Sequence, residues 1–404
     1  MIALTPVIKK YAWGSHTAIQ ELCGEDSPTP YPIAEYWFGA HEAGSSLCSD
    51  GVRLDARIAE NPRGELGHRV FTQHGPRLPF LVKLIAAERS LSLQAHPSKQ
   101  EAVRGFAEEE ALGISQTDPC RNYRDDNHKP ETVVALSQFE ALVGFRSPKD
   151  TVDFLEALAA PLMSPYKKRL CSKPNKHGIH EVYDSLISID RSGLPATIAQ
   201  VASSATSYLH TRGYQAPWAA EAATVRDLAL QHPSDPGVLI ALLLNRVSLQ
   251  SGQAIFLGPG QLHAYLRGTA VEVMANSDNV LRGGLTTKHV DTRELERILN
   301  FAPSICPPES VTTIATGELT ELQYYSRVDD FSLSRLEVPA GLERHEYRPD
   351  GPEILMSTSG TIGVHSFGAA TTINPGEALW IPAWAERLEL SAKTDATVFR
   401  TRAG

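Results

Sequence analysis

Two side chains that could bind a metal ion stand near the end of an apolar run. The stretch SLSLQAHP contains Gln94 and His96, two positions apart. In a β-strand, residues at this spacing point to one face, and Leu91 and Leu93 then point to the other. Pro97 is expected to end the strand. An amide and an imidazole on one face predict half of a metal site.

Two further residues, Glu131 and His263, could complete that site. Glu131 follows a polar loop, and His263 follows a Gly-Pro-Gly turn after an apolar run. Histidine and carboxylate are typical zinc ligands, and a neutral amide oxygen is a tolerable additional one. Because one ligand is an anion, the bound ion would keep about one positive charge and act as a Lewis acid. Each residue alone has an ordinary alternative, since a strand histidine is usually just hydrogen-bonded and a lone glutamine is usually on the surface.

The segments around these residues have the pattern of strands, with a helix between them. Residues 78–96 predict two buried strands, and residues 132–145 predict another. Residues 98–111 predict a short helix, because Ser98 can cap its N-terminus and Glu101 follows three residues later, as in a capping box. The strands would therefore present the candidate ligands.

A helical segment interrupts the β pattern in the middle of the chain. Ser147 followed by Pro148 is a favourable helix start. From there to about Arg246, apolar residues recur at helical spacing and predict about five helices, the last formed by GVLIALLLNR. The β pattern returns after Val247, residues 291–300 predict a short helix, and residues 311–404 predict strands with tight turns. We therefore expect a mainly β fold with an inserted all-helical domain.

Length, charge and cysteine content limit the possible classes. The 404 residues are too many for one ordinary core, so two or three domains are expected, and the net charge of −9 argues against a general nucleic-acid binder. No apolar run approaches the roughly 20 residues that span a membrane, and the N-terminus lacks the apolar core of a signal peptide. Five scattered cysteines without CxxC spacing argue against a disulfide framework or a thiolate zinc site. We expect a cytoplasmic monomer that binds neither nucleic acid nor membranes.

A weak internal repeat indicates two similar barrels. A proline is followed four residues later by a polar side chain twice, as Pro259 with His263 and as Pro382 with Glu386. The Gly-Pro-Gly form before His263 resembles the second motif of the cupins, which are jelly-roll β-barrels of two sheets. Because Glu386 replaces the histidine in the second copy, we expect a C-terminal barrel without metal.

Several longer blocks form specific motifs. They are YAWGS, AEYWFGAHEAGSS, SLSLQAHPSKQEA, DDNHKPETVVAL and GQLHAYLRGTAVEVMANSDNVLRGGLTTKHVD, with a fainter match in GPEILMSTSG. Together they resemble the class I mannose-6-phosphate isomerases. The resemblance implies one zinc ion per chain, a small sugar-phosphate substrate, and interconversion of mannose 6-phosphate and fructose 6-phosphate. It also implies a catalytic cupin-like barrel from residues 1–147 and 247–300, a helical domain at 148–246, and a second barrel at 301–404.

The resemblance further assigns roles to individual residues. The family's zinc ligands fall on the residues already chosen from their chemistry, Gln94, His96, Glu131 and His263. Arg282 falls on the family's catalytic arginine. Lys288 falls on a residue implicated in phosphate binding, and Ser92 is expected to bind the phosphate with it. Lys83 is also assigned to substrate or phosphate binding, and His128, Lys129, Glu272 and Asp278 fall on the other polar active-site positions. Without the motif, Lys288 would be interpreted as a solvated surface lysine.

The residue that transfers the proton stays open at this stage. Aldose–ketose isomerisation moves a proton between C2 and C1 through a cis-enediol(ate), so it needs a base that reaches both carbons and a cation for the developing oxyanion. Glu272 is the simplest base, and His128, Lys129 and a metal-bound water are alternatives. Two other functions also stay open. A non-catalytic sugar-phosphate-binding cupin would need only the pocket, and an iron-dependent cupin oxygenase would use two histidines and one carboxylate.

Overall fold

The structure is a computed structural model that describes residues 1–316, 318–366 and 368–404. The expectation of a mainly β fold is confirmed. In the described residues the strands are β1 (Ile2–Thr5), β2 (Val7–Lys9), β3 (Glu35–His41), β4 (Gly44–Ser45), β5 (Leu47–Cys48), β6 (Phe80–Ala87), β7 (Leu93–Ala95), β8 (Glu131–Ala135), β9 (Phe139–Phe145), β10 (Leu244–Leu249), β11 (Ala254–Leu257), β12 (His263–Ala275), β13 (Leu281–Gly284), β14 (Val311–Thr316), β15 (Leu319–Tyr324), β16 (Ser332–Val338), β17 (Leu342–Tyr347), β18 (Glu353–Ser359), β19 (Ile362–Ser366), β20 (Ala369–Ile373), β21 (Ala378–Ile381), β22 (Leu388–Ala392) and β23 (Ala396–Arg402).

Helices lie mainly between β9 and β10. The α-helices are α1 (Ala18–Cys23), α2 (Leu54–Glu60), α3 (Pro62–His74), α4 (Lys99–Ala111), α5 (Pro148–Leu158), α6 (Ser164–Ser172), α7 (Lys176–Ile187), α8 (Leu194–Arg212), α9 (Ala219–Gln231), α10 (Gly237–Ile240) and α11 (Thr292–Ile298), and short 3₁₀ helices occupy Pro161–Met163 and Ala241–Leu243. None of the described helices has both the length and the apolar content that crossing a membrane requires.

The long strand β12 is the centre of the first sheet. Its beginning pairs with β7 and β9, and its second half pairs with β6 and β8. The change of partners follows an irregularity in register between Tyr265 and Arg267, and Gly268 adopts a φ of 121° that few other residues tolerate. The two halves of β12 therefore present their side chains beside different partner strands.

The C-terminal strands form two further sheets. One has the order β14-β15-β16-β23-β18-β21-β1-β5, and the other has the order β17-β22-β19-β20. Apolar side chains from both sheets, including Leu355, Val364, Leu379 and Leu390, form one buried core. Strands β1 and β5 come from the N-terminal part of the chain, so this layer is not made from residues 301–404 alone. The proposed domain boundaries themselves stay a prediction.

Local signals predicted several elements correctly. Ser98 caps α4 by accepting a hydrogen bond from the Glu101 N–H, and the Glu101 carboxylate accepts one in return from the Ser98 N–H. Ser147 accepts a hydrogen bond from the Asp150 N–H at the start of α5, with Pro148 in the first turn. These helices begin where their side chains satisfy free N–H groups.

Two predicted elements were wrong. Residues 132–145, expected as one strand, form β8 and β9 with a break at residues 136–138. The stretch GVLIALLLNR, expected as one helix, is helical only to Leu243 and continues as β10, which pairs with β9. An unbroken apolar run has no period that separates a buried helix from a buried strand, so the pairing partner decides. The strands expected after 311 include residues 317 and 367, which lie outside the described residues.

Candidate active site

Strand register brings Gln94, His263 and Arg282 together. Gln94 of β7 lies opposite His263 of β12 on one side and opposite Arg282 of β13 on the other. Directly opposite residues in an antiparallel pair point to the same face of a sheet. The predicted amide ligand therefore lies between a predicted histidine ligand and the predicted catalytic arginine.

A buried cluster is formed by His96, Glu131 and His263. One ligand atom of each residue lies within 4.8 Å of the others, and their side chains are 2% exposed or less. The Nε2 atoms of His96 and His263 each lie 3.5 Å from a different oxygen of Glu131. The carboxylate therefore lies between the two imidazoles.

Backbone carbonyls fix the orientation of both imidazoles. The Nδ1 atom of His96 lies 2.7 Å from the carbonyl oxygen of Asn279, and that of His263 lies 2.8 Å from the carbonyl oxygen of Gln261. Because a carbonyl only accepts, each Nδ1 carries the proton and each Nε2 presents a lone pair. Neither Nε2 has a hydrogen-bond partner in the part of the chain that the structure describes. Two oriented, unsatisfied lone pairs beside a buried carboxylate fit a metal ion.

The protonation states of the cluster also fit a metal. Burial lowers the pKa of His96 to about 4, although Glu131 acts in the opposite direction. Burial alone would raise the pKa of Glu131, but the nearby positive charge of Lys129 outweighs burial and holds that pKa well below its ordinary value. Near neutral pH the cluster therefore contains a neutral His96 and an ionised Glu131, which are the forms that bind metals.

A second buried group adjoins this cluster through Tyr265. Lys83 of β6 lies directly opposite Glu272 of β12, and its Nζ lies 2.8 Å from Glu272 Oε2. The Tyr265 hydroxyl donates to Glu272 Oε1 at 2.6 Å and lies 3.4 Å from Glu131 Oε2. The Lys129 Nζ lies 3.2 Å from Glu131 Oε1. Two lysines, two carboxylates and one phenol thus form a continuous polar row inside the sheet.

Burial acts in opposite ways on the two members of the Lys83–Glu272 pair. It raises the pKa of Glu272, although the positive charge of Lys83 opposes the change. Burial alone would lower the pKa of Lys83, but the charges of Glu272, Glu35 and Glu131 outweigh it and raise that pKa. Lys83 is therefore charged at neutral pH, and Glu272 is a carboxylate whose pKa lies above its ordinary value.

Positive charge collects near Arg282. Burial lowers the pKa of Arg282, and the charge of Arg124 adds to this effect. Partial burial lowers the pKa of Lys288, and Arg282 and Arg124 act in the same direction. Such mutual repulsion between cations is relieved when an anion binds between them.

The structure places three other predicted residues around the site. The His128 Nε2 lies 2.9 Å from Asp330 Oδ2, which belongs to the segment before β16. Asp278 lies 3.5 Å from the Nε2 of His41, and its backbone N–H donates to Asp125. Ser92 is half-buried, two residues before Gln94. In the described residues, no hydrogen bond or ion pair joins His128 or Ser92 to the metal cluster.

Known proteins resemble this chain over its whole length. A family model for the phosphomannose isomerase type I catalytic domain matches residues 1–148. The mannose-6-phosphate isomerase of Salmonella typhimurium is 35% identical over 380 residues, which cover 93% of both chains. That of Mus musculus is 30% identical and covers 98% of this chain and 97% of its own. The chain belongs to the type I phosphomannose isomerase family. The alternatives of a non-catalytic sugar binder and of an iron oxygenase are therefore not favoured.

Solved structures of phosphomannose isomerases superpose closely on this family member. A mutant of the Salmonella typhimurium enzyme has a TM-score of 0.86 and 33% identity, and the match covers 100% of this chain and 99% of that one. A mannose 6-phosphate isomerase bound with zinc and yttrium matches with the same score, identity and coverage. The fold of this isomerase is therefore that of its relatives.

The fold brings to this isomerase's site four residues that were not predicted from the sequence. Tyr265 contacts Glu272, Arg124 adds charge near Arg282, and His41 approaches Asp278. Asn279 is fully buried and joins the His96 ring to the loop at 124–127, whose backbone groups its side chain binds. Three of the four lie in blocks already recognised as family motifs, and Tyr265 stands two residues after His263. The strand period was the signal that could have identified it.

Proposed function

We propose that the protein interconverts mannose 6-phosphate and fructose 6-phosphate with one zinc ion held by Gln94, His96, Glu131 and His263. The observation that carries this proposal is the buried cluster in which two histidines present unsatisfied Nε2 atoms on either side of one carboxylate. The Gln94 amide, opposite His263 in register, supports the fourth ligand. When bound, zinc would supply a Lewis acid that polarises the sugar oxygens.

The chain's own residues would move the proton. In our proposal Glu272 takes the proton from C2 and returns it to C1, while a hydroxyl proton passes between O1 and O2 through a cis-enediol(ate). Its buried position and raised pKa support this role, because a base with a pKa nearer neutrality both accepts and returns a proton efficiently. Lys83 and Tyr265 hold the carboxylate in place. Arg282 stabilises negative charge that develops on oxygen. His128 and Lys129 stay as alternative bases, and Asp278 as a polar neighbour.

The phosphate group would bind at the cationic end of the site. Lys288 and Ser92 are the candidates from the sequence, and the structure adds Arg124 beside Arg282. Arginine suits two-pronged contacts with phosphate oxygens, and lysine supplies a point charge. Lys83 is less suited to this contact than the sequence suggested, because Glu272 already neutralises it.

We further propose the cupin-like architecture that the repeat implies. The catalytic barrel would use residues 1–147 and 247–300, with the helical domain 148–246 inserted, and 301–404 would form a barrel without metal. The shared core of the two C-terminal sheets supports the second barrel. The free cysteines suit a cytoplasmic protein. A monomer without nucleic-acid partners is consistent with the net charge of −9.

A coupled assay tests the reaction and the metal together. Mannose 6-phosphate turnover is measured before chelation, after chelation, and after zinc is restored, and we expect loss followed by recovery. His263→Ala should lose bound zinc and activity, because it removes a buried ligand. Arg282→Ala should keep zinc and lose most turnover. A fully zinc-loaded protein that does not turn over mannose 6-phosphate would overturn the proposal.

A further inference from the structure

The chain turns sharply between Arg282 and Lys288. Strand β13 ends at Gly284, and the register of β13 with β7 shifts between Arg282 and Gly284. Leu285 then adopts a φ of 54°, although it has a side chain and is buried. A left-handed conformation is costly for leucine, so the surrounding structure must hold it in place.

A carboxylate from the end of the helical segment holds this turn. Asp235 Oδ2 accepts a hydrogen bond of 3.0 Å from the backbone N–H of Thr286. Asp235 Oδ1 accepts one of 2.7 Å from the backbone N–H of Gly237, at the start of α10. One side chain therefore joins two segments that are 51 residues apart in the sequence.

The two segments touch through their backbones. A Cβ atom at Gly284 would lie 2.8 Å from Asp235 Oδ1 and 2.8 Å from the Gly237 Cα. A Cβ atom at Gly237 would lie 2.7 Å from the backbone nitrogen of Leu285. Neither position has room for a side chain, so Asp235 acts at a contact whose geometry is tightly fixed.

We infer that Asp235 is a positioning residue, which fixes the turn at 284–286 and thereby sets where Lys288 stands relative to Arg282. The turn continues to Lys288 because the Lys288 N–H donates to the Thr286 hydroxyl at 3.1 Å. The helical segment thus shapes the phosphate end of a site whose metal cluster lies in the sheet. This inference rests on the proposed function, in which Lys288 binds the phosphate group and Arg282 stabilises negative charge at the reacting oxygen.

Asp235→Ala tests the inference in the zinc-loaded, full-length protein. Removing both acceptors loosens the turn, so the KM for mannose 6-phosphate should rise about tenfold, which is the effect of one lost hydrogen bond to a charged group. The kcat should change by less than about threefold, because the sheet residues that move the proton are untouched. The inhibition constant of inorganic phosphate should rise in parallel with the KM. Asp235→Asn keeps one acceptor oxygen and should restore part of the affinity.

The matched control is Asp190→Ala, which removes an exposed carboxylate from the same helical segment and should leave all constants unchanged. Zinc content and thermal unfolding show whether each variant is folded. An unchanged KM in folded Asp235→Ala overturns the inference, whether or not kcat falls. If Asp235→Ala does not fold, Asp235→Asn decides, and native phosphate affinity there overturns it. If the native protein lacks isomerase activity, the proposed function fails, while calorimetric titration with inorganic phosphate still tests the role of Asp235.

Discussion

The buried pair of Lys83 and Glu272 offers the sharpest test of the proposed site. The Lys83 Nζ lies 2.8 Å from Glu272 Oε2, and the two side chains are 6% and 3% exposed. Lys83→Met removes the cation, keeps a chain of similar length, and leaves Glu272 buried beside Glu131. Removing one partner of a buried ion pair costs about 3–5 kcal/mol of the free energy of unfolding.

The cost should depend on pH, because Glu272 can take up a proton. Burial raises its pKa and Lys83 lowers it, so the substitution raises the pKa of Glu272 further. A carboxyl whose folded-state pKa exceeds its unfolded value stabilises the fold at low pH, and that contribution is lost as the pH rises through the folded-state pKa. We therefore expect the full cost at pH 8 and a smaller cost at pH 5.5, where more of Glu272 is neutral.

Urea unfolding of the zinc-loaded protein at both pH values measures these free energies. The double variant Lys83→Met/Glu272→Leu should recover most of the stability, because an apolar pair carries no unpaired charge. It should not recover isomerase activity if Glu272 is the base. Lys149→Met is the control, since water screens its exposed pair with Asp153 and the free energy of unfolding should hardly change. Equal costs at both pH values, or a double variant as unstable as Lys83→Met, would refute the reasoning.

Two further predictions concern groups outside the metal cluster. Asp330→Asn removes the negative charge 2.9 Å from the His128 ring, so kcat/KM should fall about two- to tenfold while the zinc content stays constant. An unchanged kcat/KM would show that this C-terminal segment does not influence catalysis. Burial, with the charge of Glu25, raises the pKa of the Cys23 thiol to about 11, so at pH 8 only about one Cys23 in a thousand is a thiolate. Iodoacetamide should then label exposed Cys120 well before Cys23 in mass spectra, and equal rates in the folded protein would contradict this.

Errors in the sequence-based elements arose where local patterns carry no period. The apolar run that ends in β10 could form a helix or a strand, and pairing with β9 decided for a strand after Leu243. Capped helices were predicted well, because Ser98 and Ser147 satisfy N–H groups only three residues away. Secondary structure that depends on interactions between residues close in the sequence can therefore be predicted from the sequence.

The amino-acid sequence determined the chemistry available to this protein: the candidate ligands, the cations, the capped helices and the family. Only the tertiary structure decided which of these groups act on each other. Lys83 and Glu272 form an ion pair although they are 189 residues apart in the sequence, and Asp235 accepts a hydrogen bond from Thr286, which is 51 residues away. Such contacts depend on strand register and on how segments pack, and a shift of one residue in register would turn each side chain to the opposite face. Spacing along the chain therefore identifies the groups, whereas the packed sheet fixes their distances and their charges.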